Sequence, residues 1–223
     1  MFGKTHSIFT SLLLIIIFFV GSSDAATFKS GLLTGYSNGF SFELRSGLSQ
    51  FAQGFPFQFE LGIGYTSLDP GSAADARRIF INDATNGDPE KSGRIWDFRF
   101  DFLYGVNWLG FGDTYVYAGP RLALFNGNFK FIGGNEDFDI TNDQWGLGVG
   151  LKSFFPMSRR FDLVISAGTD YYFSNSMSGH DTVYSPDGED INARNDYNFD
   201  DADEAINQPK FRLNLMMGFV YRF

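Results

Sequence analysis

The chain has 223 residues, with 26 acidic and 17 basic side chains, a net charge of −9 and no cysteine. Proteins that bind nucleic acid usually present a basic surface, which this excess of acidic side chains does not favour. We therefore predict no nucleic-acid partner. Without cysteine the chain can form no disulfide, thiolate metal site or lipid-anchored thiol. Aromatic residues make up 18% of the chain and glycine contributes 26 residues, a composition that favours many short β-strands over disorder.

The first residues have the pattern of a secretory signal peptide. Lys4 supplies a positive charge, residues 8–20 are almost wholly apolar, and the small residues Ser23 and Ala25 precede the expected cleavage site. The apolar run is shorter than the stretch of about 20 residues that spans a bilayer as a helix. We therefore predict removal of residues 1–25 and a single domain over residues 26–223, with an uncleaved membrane anchor as the alternative.

Apolar and polar residues alternate through the rest of the chain, which is the period of a β-strand with two different faces. In chain order the alternation predicts eight strands, at residues 27–36, 40–48, 55–65, 96–106, 114–125, 145–151, 161–173 and 211–223. The first and fifth show the pattern least clearly. In the fifth strand, Pro120 removes a backbone donor from the ladder.

Short and long connections alternate between these strands. Residues 49–54, 107–113 and 154–160 are predicted short links, and a tight turn joins the first two strands at Asn38. The predicted long loops are residues 66–93, 126–143 and 174–209. An even number of strands with short turns at one end and long loops at the other is the layout of a transmembrane β-barrel. The predicted fold is thus all-β, an eight-stranded antiparallel up-and-down transmembrane β-barrel.

The apolar face of these strands carries more aromatic rings than the interior of an eight-stranded barrel accommodates, whereas the opposite face is rich in glycine. Aromatic residues also gather near both ends of the strands, which is the pattern of the two girdles at a membrane surface. We therefore predict that the apolar face contacts lipid, and we reject the alternative of a soluble, lipocalin-like barrel.

The chain ends on alternating apolar residues and a terminal phenylalanine, Gly218-Phe219-Val220-Tyr221-Arg222-Phe223. This ending resembles the C-terminal β-signal of Gram-negative outer-membrane proteins, with Phe219, Tyr221 and Phe223 as the membrane-insertion signal. The whole layout is similar to that of the eight-stranded OmpA-barrel, OmpX and OmpW-like group.

The resemblance implies an outer-membrane location with the long loops extracellular and both termini periplasmic. It implies outer-membrane lipid and lipopolysaccharide as surroundings, the barrel-assembly machinery as a partner during biogenesis, and a monomeric state.

The inward face holds acids and bases in nearly equal number. Unpaired charges are costly in a narrow space of low dielectric constant, so we predict a cross-lumen ion-pair network that plugs the barrel. Its predicted members are Glu43, Arg45, Glu60, Asp97, Arg99, Asp101, Arg121, Lys152, Asp162, Asp170, Arg212 and Arg222. A small-solute or ion channel of low conductance is the alternative. A wide porin would need about 16 strands.

The predicted long loops carry the excess of acid. Among these acids, Tyr184, Tyr197 and Phe199 are candidate anchors for an extracellular ligand that the sequence does not identify, with packing inside the loop as the alternative. The pattern also leaves open a Ca²⁺ site in one acidic run, formed by Asp200, Asp201, Asp203 and Glu204. The run lacks the spacing of a Ca²⁺-binding loop, so we predict no metal and no cofactor.

If the protein were an enzyme, its candidate catalytic residue would be His180, which is followed by Asp181 and preceded by Ser174, Ser176 and Ser178. A lipid A-modifying enzyme using His180 is therefore an alternative function. Close neighbours on a long loop seldom form a preorganised catalytic triad, so we predict no catalytic residue and no enzyme. The predicted function is an envelope-structural or adhesion-like surface role through the long acidic loops.

Overall fold

The computed structural model describes residues 26–52, 54–106 and 113–223. The predicted signal peptide, residues 1–25, lies outside these ranges. No helix among the described residues has the length and apolar character needed to cross a membrane.

Eight long antiparallel strands close into a barrel, which confirms the predicted fold. They are β1 (Thr27–Ser37), β2 (Phe40–Ser49), β3 (Phe57–Leu68), β4 (Asp88–Val106), β5 (Asp113–Ile132), β6 (Asp137–Pro156), β7 (Phe161–Tyr172) and β10 (Phe211–Arg222). Each pairs with the next of the eight along the chain, and β10 returns to pair with β1, where Phe219 lies opposite Leu32. The cylinder therefore leaves none of these eight strands as a free edge.

The two ends of the barrel differ. At one end lie the turn 38–39 and the connections 69–87, 133–136 and 173–210, and we call this the long-loop end. The opposite, short-turn end holds the other ends of the same strands, at Ser49 and Phe57, Val106 and Asp113, and Pro156 and Phe161, together with residue 26 and Phe223. Because each strand crosses the barrel once, the even number of strands brings both ends of the described chain to the same side.

Apolar side chains point outward around the barrel, as the alternation predicts. Leu32, Leu147 and Leu215 are all more than half exposed, whereas inward-facing Leu33 is 2% exposed. Near the long-loop end, Trp96 is an outward residue of β4, and the next outward residue toward that end is Arg94. This change from aromatic to charged residues marks the border of the apolar band.

Three strands continue past that border, so the predicted loops at 66–93 and 126–143 are wrong over much of their length. Strand β5 runs to Ile132 and β6 begins at Asp137, with only residues 133–136 between them. Inward Phe129 and Phe138 are buried here, while the outward positions carry polar and acidic residues. That polar face resembled a loop in the sequence, although it alternates with buried aromatic residues as in any two-faced strand.

Pro120 interrupts one ladder without ending its strand. The pairing of β4 with β5 is missing opposite Gly119 and Pro120, because proline has no backbone N–H to donate. Arg121 Nη1 donates to the carbonyl oxygens of both residues, at 3.3 and 3.0 Å respectively.

A small cap covers the long-loop end. It comprises helix α1 (Ala73–Phe80), the hairpin of β8 (Met177–Gly179) and β9 (Thr182–Tyr184), and helix α2 (Phe199–Ala205), packed on the extended parts of β4, β5 and β6. Their buried side chains form one hydrophobic core with inward-facing side chains at the long-loop end of the barrel. The segment 174–209, predicted as a long loop, is therefore largely ordered, and packing supplies the order that disulfides provide in other small domains.

Two polar side chains are built into this core. The Tyr184 ring packs edge-on against Phe80 at 5.3 Å, its hydroxyl donates to the Ile79 carbonyl at 3.0 Å, and burial raises the pKa of this phenol. Arg77 is 2% exposed, donates to the Asn86 carbonyl at 2.7 Å and lies 4.5 Å from the centre of a phenylalanine ring. Both groups find partners within the cap, as burial requires.

We expect Phe80→Ala to unfold the cap and leave the barrel intact. The substitution removes a side chain that is 3% exposed and opens a cavity in the cap core, at a cost of about 3–5 kcal/mol. Limited proteolysis of the folded protein should then cleave within residues 174–209, while heat-modifiable migration on gels remains. Ile191→Ala, at a position 56% exposed, is the control and should stay resistant. Equal resistance of the two variants would contradict a cap held by this core.

Candidate functional site

Among the described residues, ten charged side chains meet inside the barrel and are connected through ion pairs into one network. They are Glu43, Arg45, Glu60, Asp97, Arg99, Asp101, Arg121, Lys152, Asp170 and Arg212. Each is less than a tenth exposed. Five are acids and five are bases, so the network carries no formal net charge. Strands β2 to β7 and β10 all contribute, which places the network across the lumen.

Six of the ten form a closed ring of alternating charge, which we call the lumen ring. In one direction from Arg45, its Nη2 lies 2.5 Å from Glu43 Oε2, and Glu43 Oε1 lies 3.4 Å from Arg99 Nε. Arg99 Nη2 then lies 2.7 Å from Asp170 Oδ2. This half of the ring joins β2 to β7 across the barrel.

The other half returns through β5 and β4. Asp170 Oδ1 lies 2.9 Å from Arg121 Nε, and Arg121 Nη1 lies 2.7 Å from Asp101 Oδ1. Asp101 Oδ2 lies 2.9 Å from Arg45 Nη1, which closes the ring. Each ring member therefore contacts two residues of opposite charge, so no ring charge is buried alone.

Two branches extend the ring toward the ends of the lumen. On one side Glu60 lies 3.1 Å from Arg45 and also pairs with Lys152. On the long-loop side Asp97 lies 2.6 Å from Arg99 and 2.7 Å from Arg212. The outermost guanidinium, Arg212, donates to the Ser37 carbonyl at 3.0 Å and to the Thr66 hydroxyl at 2.8 Å.

Two predicted members lie outside the network. Asp162 and Arg222 pair with each other near the short-turn end, and the Arg222 side chain is 30% exposed. Lys29, also inward-facing, lies with its ammonium 4.6 Å from the centre of the Phe154 ring. The structure thus joins ten of the twelve predicted residues and leaves one separate pair.

Neutral residues that the sequence did not single out complete the site. The Tyr172 hydroxyl donates to Asp97 Oδ2 at 2.9 Å, and the Asn214 amide donates to Asp170 Oδ2 at 2.7 Å. Both residues share the inward parity of the charged positions on their strands, which was the signal available for finding them.

Glycine makes room for the lumen ring. A Cβ at Gly148 would lie 2.2 Å from Asp170 Oδ1 and 2.3 Å from Arg121 Nη2. A Cβ at Gly168 would lie 2.2 Å from the Tyr117 hydroxyl. The glycines of β6 and β7 are therefore required because large side chains cross the lumen directly against the wall.

The lumen is filled on both sides of the ring. Toward the short-turn end, Leu33, Leu103, Tyr117, Phe154 and Met216 belong to a buried apolar cluster. A cavity beside the ring has a volume of only 10 Å³, about the space of one water molecule. Toward the other end, the lumen meets the core of the cap.

The predicted loop anchors lie in the cap core. Tyr184 is fully buried, so its prediction as an exposed ligand anchor is wrong: its ring fills the space beside Phe80. Tyr197 and Phe199 are half-buried and pack against the same core. The acidic neighbours of these aromatic residues suggested an exposed surface. In the structure, the aromatic side chains hold this acidic segment to the barrel.

The acidic run belongs to helix α2. Asp201 accepts a hydrogen bond from the Asn198 backbone N–H at 2.8 Å, forming a capping box, and Asp203 pairs with Lys210 at 2.6 Å. Asp200 and Glu204 are on the same short helix. Across residues 26–52, 54–106 and 113–223, no three acidic or histidine side chains are arranged to hold a metal ion.

His180 lies at the tip of the β8–β9 hairpin with its side chain 57% exposed and its Nδ1 3.5 Å from Asp181 Oδ2. The hairpin pairs with β6 at Ile140, five residues beyond Trp145, so it stands about 16 Å from the aromatic border. Ser176 is engaged with the Ser185 hydroxyl at 2.7 Å.

The terminal aromatic residues line the lipid side of β10. Phe219 and Phe223 are 59% and 73% exposed, and the Tyr221 hydroxyl accepts a hydrogen bond from Arg160 at 2.8 Å. Phe223 also contacts the Phe28 ring at 5.2 Å, next to the β1–β10 closure. Their role as an insertion signal stays a prediction.

A closed antiparallel barrel of eight strands, apolar outside and charged within, defines the class of eight-stranded outer-membrane β-barrels, and this chain is an integral outer-membrane protein of that architecture. The crystal structure of a major outer membrane protein from Thermus thermophilus matches it with a TM-score of 0.73 and 25% identity, over 89% of this chain and 100% of that one. Ail, the attachment invasion locus protein of Yersinia pestis, matches with a TM-score of 0.45 and 13% identity, over 90% and 100%. Neisserial surface protein A matches with a TM-score of 0.40 and 12% identity, over 89% and 96%. No protein-family model and no curated protein matches the sequence.

We expect Gly148→Ala to destabilise the barrel, because its Cβ would displace the Arg121–Asp170 pair of the lumen ring. Disruption of a buried ion pair lowers the free energy of unfolding by about 3 kcal/mol. Urea unfolding in micelles, followed by tryptophan fluorescence, measures the change.

Gly64→Ala is the matched control for this variant. Its Cβ would lie 3.4 Å from the Asp97 and Glu43 side chains, an ordinary contact, so we expect a change below about 1 kcal/mol. Equal destabilisation by the two substitutions would show that a lost strand glycine, and not the ring, determines the effect.

Proposed function

We propose that this protein is a non-enzymatic structural component of the outer membrane that carries an acidic, folded cap outside the cell for surface interaction. The observation that carries the proposal is the closed lumen ring. Six mutually paired charges across the centre of the barrel hold its strands together. They also occupy the space through which water and ions would pass. This favours a structural plug over the alternative of a small-solute or ion channel.

The proposed orientation places the long-loop end outside the cell and both chain ends in the periplasm. Long connections at one end and short turns at the other are the arrangement of outer-membrane barrels, whose longer loops are extracellular. The cap would then be the part of the molecule that meets the surroundings. Because its aromatic residues are engaged in its core, surface interaction would depend on the exposed charged side chains.

The charge of the cap is held in place by its folded structure. Arg194 donates to Asp83 Oδ2 at 2.5 Å, connecting the segment before β10 with the segment after α1. This hydrogen bond holds the pKa of the Asp83 carboxyl below its usual range. The segments that form the cap carry more acidic than basic side chains, so a partner of complementary chemistry would be cationic.

The proposal of a non-enzymatic role rests on the position of His180. Nucleophilic or general-base catalysis needs a histidine held against its nucleophile and oriented by a carboxylate. His180 is exposed on a hairpin tip, and its Nδ1 lies 3.5 Å from Oδ2 of the adjacent, 83% exposed Asp181. Such an exposed position does not favour the alternative of a lipid A-modifying enzyme.

We expect the wild-type protein to give no conductance steps in a planar bilayer, whereas Arg121→Ala should give small ones. The substitution removes the side chain that joins Asp101 to Asp170 and admits water beside two carboxylates that each keep a single cationic partner. Arg222→Ala, which removes a guanidinium outside the network, is the control and should stay silent. Large, stable steps from the wild-type protein would overturn the plugged-lumen proposal.

A peptide epitope inserted between His180 and Asp181 should be detected by antibody on intact cells. The same epitope inserted between Arg159 and Arg160, in the turn between β6 and β7, should be detected only after permeabilisation. Both sites are exposed turns, so folding is preserved in either case. Detection of the second epitope on intact cells would reverse the proposed orientation.

A further inference from the structure

One part of the lipid-facing surface is concave. An open groove of 430 Å³ crosses β5, β6 and β7 on the outside of the barrel, within the range of volumes typical of small-molecule sites. Its floor is formed by Ala118, Val149 and Thr169, and Tyr171, Phe173 and Phe211 line its long-loop side. Floor and sides are thus almost entirely apolar.

The groove follows from the register of the strands. Ala118 pairs with Val149, and Val149 pairs with Thr169, so three small outward side chains lie side by side. The next row toward the long-loop end contains Leu147, Tyr171 and Phe211, which are paired in the same way and are much larger. A step in side-chain size between two neighbouring rows therefore produces the depression.

The lumen ring lies directly behind the groove. Gly119 and Gly148 are paired with each other and also line the groove, although both face the lumen. On its inner side, Gly148 leaves the space that the Arg121–Asp170 pair occupies. At this point the wall separates buried charge on the inside from an apolar hollow on the outside.

The occupant of the groove must come from the membrane. The groove is part of the outer, lipid-facing surface of the barrel. It lies on the short-turn side of the aromatic residues that border the apolar band at the long-loop end. Its aromatic side is nearest the long-loop end, so a chain enters most directly from the leaflet on that side. A long, flexible hydrocarbon fits such an open apolar hollow without burying a polar group.

We propose that this groove is a binding site for one acyl chain of a membrane lipid from the leaflet at the long-loop end. The three aromatic side chains pack along the chain where it enters, and the small floor residues accept its methylene groups. The barrel thus holds one lipid in place at this face, in addition to the exchanging lipids around the rest of its circumference.

The test uses the purified, folded protein in phosphatidylglycerol vesicles that contain a fraction of the same lipid with a photoreactive diazirine on its acyl chain. After irradiation, mass spectrometry of peptides locates the labelled residues. We expect several-fold more labelling at Ala118, Val149 and Thr169 than at the outward residues of β1 and β2. This readout does not depend on conductance, catalysis or orientation in cells, so it can fail without affecting the proposed function.

Val149→Trp fills the groove and should reduce the labelling of its floor to the level of β1 and β2. Leu44→Trp is the matched control, because Leu44 and Val149 are both 48% exposed on the lipid face, and it should leave the excess unchanged. Heat-modifiable migration verifies that both variants are folded.

Uniform labelling around the barrel would show annular lipid only and overturn the proposal. So would an excess that Val149→Trp does not reduce.

Discussion

The lumen ring is the constraint on which the rest of this barrel depends. Burying one charge in so narrow a space is unfavourable by several kcal/mol unless opposite charges surround it, so the ring members must be present together. Their long side chains need room, which glycine supplies at Gly148, and they need fixed geometry, which neighbours such as Tyr172 and Asn214 supply through hydrogen bonds. Gly148 is therefore a consequence of the ring that lies against the inner side of the wall.

The cap solves a second problem, which is how an acidic segment without disulfides stays ordered outside the membrane. Extension of β4, β5 and β6 provides a sheet whose inner face is aromatic, and α1, α2 and the β8–β9 hairpin cover that face. Polar contacts such as the Arg77 and Tyr184 hydrogen bonds fix the arrangement. The acids remain on the outer surface, where water solvates them. The net charge of the protein is thus displayed by a folded body and not by flexible loops.

The sequence was sufficient for the barrel and for most of the lumen site. Alternation determines which side chains share a face, so the charges of one face must meet when eight strands close. Alternation does not reveal which charges touch. The closed ring, and the separation of the Asp162–Arg222 pair from the network, could therefore not be predicted from it. It failed at residues 126–143, where acidic outward residues concealed the buried aromatic ones, and at Tyr184, whose burial depends on α1, far away in sequence. These features require tertiary contacts that no local pattern contains.

A double-mutant cycle between Arg45 and Asp170 tests the ring most directly. The two residues lie on different strands and share no ion pair in the described structure, but two routes through the ring connect them, one through Glu43 and one through Asp101. The free energy of urea unfolding would be measured for the wild-type protein, Arg45→Met, Asp170→Asn and the double variant. A single cooperative ring predicts a coupling energy of about 0.5–3 kcal/mol between them. Additive effects within about 0.5 kcal/mol would contradict the ring and indicate independent ion pairs.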